Sequence, residues 1–229
     1  MSAQIQRIGS LRSASMKSPA RAQSTRTEMV ALKPGSLVLR VLVLLACAAS
    51  AVPALASDAL WKRIGQGGVA VMIRHAQTVP GIGDPPAFRI GDCSTQRNLS
   101  AEGRAQAARL GAAFKARGIR PARVLSSQWC RCIDTATAAF GRHTEESALN
   151  SFFEGRGTEP AQSAAVKRLI AGVKPGELLV LVTHQVNITA LTGESVAQGE
   201  MFVVTLAAND AVALIGRIPA PEVRPDKQP

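Results

Sequence analysis

From residue 57 onward the chain alternates short apolar runs with longer stretches whose apolar residues recur every three or four positions. Val69-Ala70-Val71-Met72-Ile73 and Leu178-Leu179-Val180-Leu181-Val182 are unbroken apolar runs, the mark of strands buried on both faces. Val124-Leu125-Ser126, opening after Pro121, is a shorter one. Between these runs, Ser100 is a good N-cap for a helix over Ala101 to Arg117, stopped by Gly118. The spacing of Ile133, Ala136, Ala139 and Phe140 predicts a helix over Cys132 to Phe140, ended by Gly141. A third helix is expected over Ala161 to Ala171. Met201 to Ala207 and Ala211 to Ile218 flank Ala208-Asn209-Asp210 and read as a hairpin. Residues 78–98, with Gly81, Gly83, Pro85, Pro86 and Gly91, form a long loop, and residues 150–160 form another. Strands alternating with helices predict βαβ units, hence an α/β domain with a mostly parallel sheet and the Leu178–Val182 strand at its centre.

The two ends of the chain have a different character. Residues 1–56 hold seven of the 27 Lys and Arg but one of the 16 Asp and Glu, so six of the eleven net positive charges lie there. A basic stretch ends at Arg40, an apolar run follows from Val41 to Val52, and Pro53 precedes Ala54-Leu55-Ala56. This is the order of a signal peptide with a basic N-terminal extension, cleaved after Ala56 into the periplasm or the exterior. An uncleaved anchor is the competing reading, but spanning a bilayer takes about 20 apolar residues. On this reading the membrane is met only through the transient leader. The domain runs over 57–218, and the Pro-rich, charged segment 219–229 reads as a disordered tail. Without the leader the protein is mildly basic; with 3% aromatics and no Tyr, nucleic acid is not expected as a partner. Export implies an oxidising compartment, where Cys93, Cys130 and Cys132 leave one disulfide and one free thiol. Cys93 bridged to Cys130 or to Cys132 is the expected pairing, since Cys130 and Cys132 are too close in sequence to bridge readily.

The chemistry falls at strand ends. The first strand runs into Arg74-His75, the Leu178–Val182 strand into Thr183-His184, and Val124-Leu125-Ser126 is followed by Arg131 near a helix start. In open parallel sheets the ligand crevice lies at the carboxyl ends of the strands. If the strands are neighbours, two imidazoles and two guanidiniums meet. Guanidiniums fork onto phosphoryl oxygens, a neutral imidazole is a nucleophile toward phosphorus, and a second imidazole can steady the transition state. No metal or other cofactor is required by this set.

These segments resemble the histidine phosphatase superfamily in its phosphoglycerate-mutase-like branch. Met72 to Thr78 (MIRHAQT) is similar to its Arg-His-Gly/Ala-x-Thr box. Asn98 to Ala107 is similar to its Leu-Thr/Ser-x-x-Gly-x-x-Gln-Ala helix, and Val124 to Ala136 to its Ser-Ser-x-x-x-Arg-x-x-x-Thr-Ala segment. Leu181-Val182-Thr183-His184 completes the order. The resemblance implies a three-layer αβα sandwich and a phosphohistidine formed on His75. It implies that Arg74, Arg131 and His184 hold the phosphate, with Thr78 beside them. Two departures stand out: Gln185 replaces the usual Gly after the second histidine, and Leu149-Asn150-Ser151 lacks the acid of the family's Leu-x-Glu. Glu154 is the nearest carboxylate in that loop and the expected general acid, with Asp92, Asp84 or no dedicated acid as alternatives. The expected activity is a metal-independent phosphomonoesterase on a small phosphorylated substrate, an envelope sugar phosphate among the candidates. The competing class is a phosphate-binding or envelope interaction module on a degenerate scaffold.

Overall fold

A computed structural model describes residues 57–221 apart from Arg156. The leader and most of the tail therefore lie outside the described residues. Helix α1 is described over residues 57–65. Strand β1 (Val69–Arg74), helix α2 (Ala101–Ala116), β2 (Arg123–Ser126) and α3 (Cys130–Phe140) follow. Then come the two-residue β3 (Thr144–Glu145), α4 (Glu159–Ala171), β4 (Leu178–Thr183), α5 (Gln185–Thr192), β5 (Met201–Leu206) and β6 (Val212–Ile218). The sheet order is β3-β2-β4-β1-β5-β6. β4 pairs in parallel with both β1 and β2, and β2 with β3, while the β5–β6 hairpin is antiparallel throughout and joins β1 in antiparallel register.

Strand periodicity builds the three layers. Val69, Val71 and Ile73 of β1 point to one face, where they pack with Trp61 and Ile64 of α1, Phe114 of α2 and Ala136 of α3. Ala70 and Met72 point to the other, with Val166 and Ile170 of α4 and Ile188 and Leu191 of α5. All six residues of β4 are buried, as its composition and central place require. The result is an αβα sandwich with helices α1 to α3 on one side and α4 and α5 on the other.

Several boundaries differ from the expectation, and the differences bear on the site. Helix α3 starts at Cys130 rather than Cys132, which places Arg131 inside its first turn. Helix α4 begins two residues early at Glu159, with Pro160 in its first turn, where a missing N–H costs nothing. Helix α5 and strand β3 were not legible. The α5 segment carries Val, Ile and three Thr or Asn residues of indifferent helix propensity and lacks a side-chain N-cap. Gly103 in the first turn of α2 has a packing reason. A Cβ there would sit 1.8 Å from the carbonyl oxygen of Gln77, so only glycine lets the helix press on the chain leaving His75.

Candidate active site

β2, β4 and β1 are adjacent, so their carboxyl ends open on one crevice. The backbone N–H of His75 donates to Thr183 O at 2.9 Å, which locks the ends of β1 and β4 together. His75 and His184 lie edge to face with ring centroids 5.5 Å apart. Arg74 and Arg131 join them around a cavity of about 490 Å³, a volume usual for a small-ligand site. Arg97 lines it too, so among the described residues three guanidiniums face one carboxylate, that of Asp84. The N-terminal turns of α3 and α5 border the same space, and neither helix has a side-chain N-cap. The peptide dipoles at these N-termini add positive potential, the first amide of α3 being held by Gln96 Oε1 at 2.9 Å. The Nε atoms of Arg74 and Arg131 are buried without a hydrogen-bond partner. Desolvated cations with spare donors are what an anion would satisfy.

The protonation of the two imidazoles follows from their partners. Nδ1 of His75 lies 2.9 Å from Ala76 O, and since a carbonyl only accepts, Nδ1 carries the hydrogen. Nε2 keeps its lone pair. Burial first, then Arg131, pushes the His75 pKa well below the ordinary imidazole value, so the ring is neutral. His184 is lowered well below that value by the same two causes, with His75 adding to them. Its Nδ1 is 3.4 Å from Nη2 of Arg131 and accepts from it, and its Nε2 is 2.8 Å from Ser127 Oγ. Ser127 Oγ in turn donates to Asn150 Oδ1 at 3.1 Å. The Asn150 amide is held in that sense because Gln128 N–H donates to the same oxygen while Asn150 Nδ2 donates to Gln128 Oε1. Ser127 has one hydrogen and gives it to Asn150, so Nε2–H of His184 must donate to Ser127. Asn150 thus sets the His184 tautomer from two residues away.

Asp84 does not behave as an acid. Its carboxylate accepts two bonds from Nη1 of Arg131, at 2.8 and 3.1 Å, one from Trp129 Nε1 at 2.9 Å and one from Arg97 N–H at 3.0 Å. Both side chains of the Arg131–Asp84 pair are 5% exposed. Burial raises the Asp84 pKa, but the Arg131 hydrogen bonds and charge outweigh it and hold the carboxyl below the ordinary range. Asp92 is excluded for another reason. It caps the turn at Cys93 by accepting from Ser94 and pairs with Arg89 outside the cavity. Glu154 also departs from the expectation. It is exposed in a left-handed turn (φ 59°), its carboxylate 3.5 Å from where a Cβ on Gly83 would lie, so it stands at the rim of the cavity and outside its lining. Thr78 departs as well: its Oγ1 accepts from Arg97 and from Gln198, and it lies behind the lining rather than in it. Arg97 takes a place in the cavity wall, with its Nε on Gly83 O at 2.7 Å.

The disulfide joins Cys93 to Cys130, so it staples the 78–98 loop to the residue before Arg131. Cys132 stays reduced and buried, and burial raises its thiol to about 12. That rules it out as a nucleophile near neutral pH. His143 lies near Thr137, away from the cavity. Among the described residues no group of three or more His, Cys, Asp or Glu could hold a metal ion.

A buried neutral imidazole with its Nε2 lone pair available, set among guanidiniums at the sheet edge, is an arrangement able to receive a phosphoryl group. Residues 70–151 match the family model described as the histidine phosphatase superfamily (branch 1). No curated protein matches it significantly. Among solved structures it is similar to the protein histidine phosphatase SixA complexed with tungstate, at 16% identity and TM-score 0.48, over 66% of this chain and 96% of that one. It is similar to the mycobacterial glucosyl-3-phosphoglycerate phosphatase in complex with VO3, at 17% identity and TM-score 0.49, over 64% and 96% of the two chains. A third is a phosphoserine phosphatase mutant from Entamoeba histolytica in complex with phosphoserine, at 13% identity and TM-score 0.47, over 65% and 95%.

Proposed function

We propose that the protein is an exported, metal-independent phosphomonoesterase acting through a phosphohistidine on His75. The observation that carries this reading is the pairing of a neutral His75, its Nε2 lone pair free, with Arg74, Arg131 and His184 around one cavity. Nε2 of His75 attacks phosphorus in line. The N–P bond forms as the P–O bond to the leaving group breaks, and the leaving oxygen takes the electron pair. Arg74 and Arg131 take the nonbridging oxygens. A phosphate dianion raises the pKa of His184, which then carries a proton on Nδ1 as well and donates it toward a phosphoryl oxygen. Water next attacks phosphorus, its oxygen forms the new P–O bond, and the N–P bond breaks to return His75 and release inorganic phosphate. Guanidinium and imidazole supply the positive charge that Mg²⁺ supplies elsewhere.

Export rests on the order of features in residues 1–56 and is supported by the Cys93–Cys130 disulfide, a bond that persists in oxidising compartments. The testing experiment is release of inorganic phosphate from phenyl phosphate with EDTA present, in the native protein and in His75→Ala. Turnover by the native protein and its loss in the variant are expected. Binding of phosphate without turnover in either protein would favour the binding-module reading, and turnover abolished by EDTA would overturn metal independence.

A further inference from the structure

The walls of the cavity differ from its floor. Ile82 lines it while 91% exposed, and Phe153 lines it while 41% exposed. Ile82 stands between Gly81 and Gly83, both with positive φ (135° and 67°), so the backbone makes a narrow tip that holds the side chain out over the mouth. A Cβ on Gly83 would lie 3.7 Å from the Phe153 ring and 3.5 Å from a Glu154 carboxylate oxygen, so the two loops meet at this rim. Trp129 adds an aromatic surface lower down, its indole stacked on Phe88 and edge-on to His184. Of the neutral polar side chains lining the cavity, Gln185 is exposed, while Ser151 and Gln198 have partners within the protein. Ser151 Oγ accepts from Phe153 N–H at 3.2 Å, and Gln198 Nε2 donates to Thr78 at 3.1 Å.

The second observation concerns the leaving group's proton. Among the described residues the one carboxylate lining the cavity is Asp84, and both its oxygens are bonded to Arg131. Asp92 stands away from the cavity, and Glu154 stands exposed at its outer rim beside Gly83. An alkoxide leaves badly without an acid. A phenolate leaves as a much weaker base, the phenol of tyrosine having a pKa of about 10. Apolar walls and a lining carboxylate already committed to Arg131 are independent features, and both fit one kind of leaving group.

We propose that the natural substrate is a phosphomonoester of a phenol, its ring held between Ile82 and Phe153 while the phosphoryl group meets His75. This rests on the reading above and replaces the sugar-phosphate expectation with an aryl phosphate. The P–O bond breaks to give a phenolate, which takes its proton from water at the open mouth.

The test separates binding from turnover. Phenylphosphonate and methylphosphonate are compared by calorimetry on the native protein and on Ile82→Ser and Phe153→Ser. Burying a benzyl-sized group favours the phenyl compound by roughly 10- to 100-fold, and each variant is expected to lose much of that ratio. Turnover is then followed for substituted phenyl phosphates, 2-phenylethyl phosphate, glycerol phosphate and a phosphotyrosine peptide. A steep rise in rate as the phenol becomes more acidic, with 2-phenylethyl and glycerol phosphate far slower, is the expected pattern. The peptide against free phenyl phosphate tells whether the ring comes on a polypeptide or alone. Equal affinity for the two phosphonates, or glycerol phosphate turned over as fast as phenyl phosphate, would overturn the inference while leaving the phosphatase intact. Phosphonate discrimination that depends on Ile82 and Phe153, with no ester hydrolysed, would uphold the aryl site and sink the phosphohistidine mechanism.

Discussion

The floor of the cavity and its mouth are made by different means. The floor is a strand-end structure: His75 and His184 follow two central strands, each is at most 4% exposed, and every hydrogen bond around them belongs to the fold. The mouth is made by two loops, 78–98 and 150–158, in which Ile82 and Phe153 stand in solvent. Between them runs a seam of Asp84, Arg97, Arg131 and the Cys93–Cys130 bond that ties the first loop to helix α3. Chemistry common to many substrates belongs on the rigid part, and selection among them belongs on the part that varies. The seam lets a loop contribute to the rigid part.

Cutting the seam at its covalent bond is the strongest way to break this comparison. The disulfide closes a span of 37 residues, for which the loop-entropy relation gives a contribution of about 4 kcal/mol. Reduction of the bond, or Cys93→Ser with Cys130→Ser, is expected to lower the denaturation midpoint accordingly and to reduce phosphate release as Asp84 loses its place. A midpoint unchanged in chemical denaturation would mean that the loop is held by its hydrogen bonds alone.

The next largest effect is expected at Arg131. Arg131→Lys keeps the charge but cannot fork onto Asp84 and reach a phosphoryl oxygen at once, so kcat/KM should fall roughly 10²- to 10³-fold. A drop below tenfold would show that charge alone suffices at this position.

Proton linkage gives a smaller and sharper test of the floor. His75 and His184 have pKa values lowered in the folded state, chiefly by burial, so they remain neutral there while the unfolded chain protonates them near 6.5. The unfolded state then binds more protons, and stability falls as pH drops below about 6.5. Urea midpoints measured from pH 7.5 to 5 should decline in the native protein, and less in His75→Asn. Saturating phosphonate should oppose the decline, because an anion favours the imidazolium. A flat profile in the native protein would contradict the buried neutral pair.

The smallest effect is expected at Glu154. Because its side chain lies outside the cavity lining, Glu154→Gln should change kcat by less than about threefold, against the roughly 10²-fold or more lost on removing a general acid. A larger loss with an altered basic limb of the pH–rate profile would show that the loop moves to deliver the carboxylate.

Legibility in the sequence followed the same division. The floor was readable because β1 and β4 are unbroken apolar runs, and a polar residue ending such a run has nowhere to go but the sheet edge. The hairpin was readable for the same reason of pattern and turn chemistry. The seam was not. Nothing in the spacing of Asp84, Arg97 and Arg131 announces that a loop carboxylate 47 residues before an arginine will pair with it in a buried bridge. Glu154 was assigned by proximity in sequence and Thr78 by resemblance, and tertiary placement puts Glu154 at the rim and Thr78 behind the lining. Asn150 stood in the sequence as a missing acid. In the structure its amide fixes the His184 tautomer through Ser127, a role its residue type permits but no pattern reveals.

The central claim is that the phosphoryl group passes through His75. The direct measurement is a rapid quench of native protein in alkali during turnover of phenyl phosphate, followed by peptide mass spectrometry. The account predicts a phosphoryl group on His75, formed within one turnover, decaying as phosphate appears, and absent in His75→Ala. Steady turnover with His75 unmodified, or with the phosphoryl group on another residue, would contradict it.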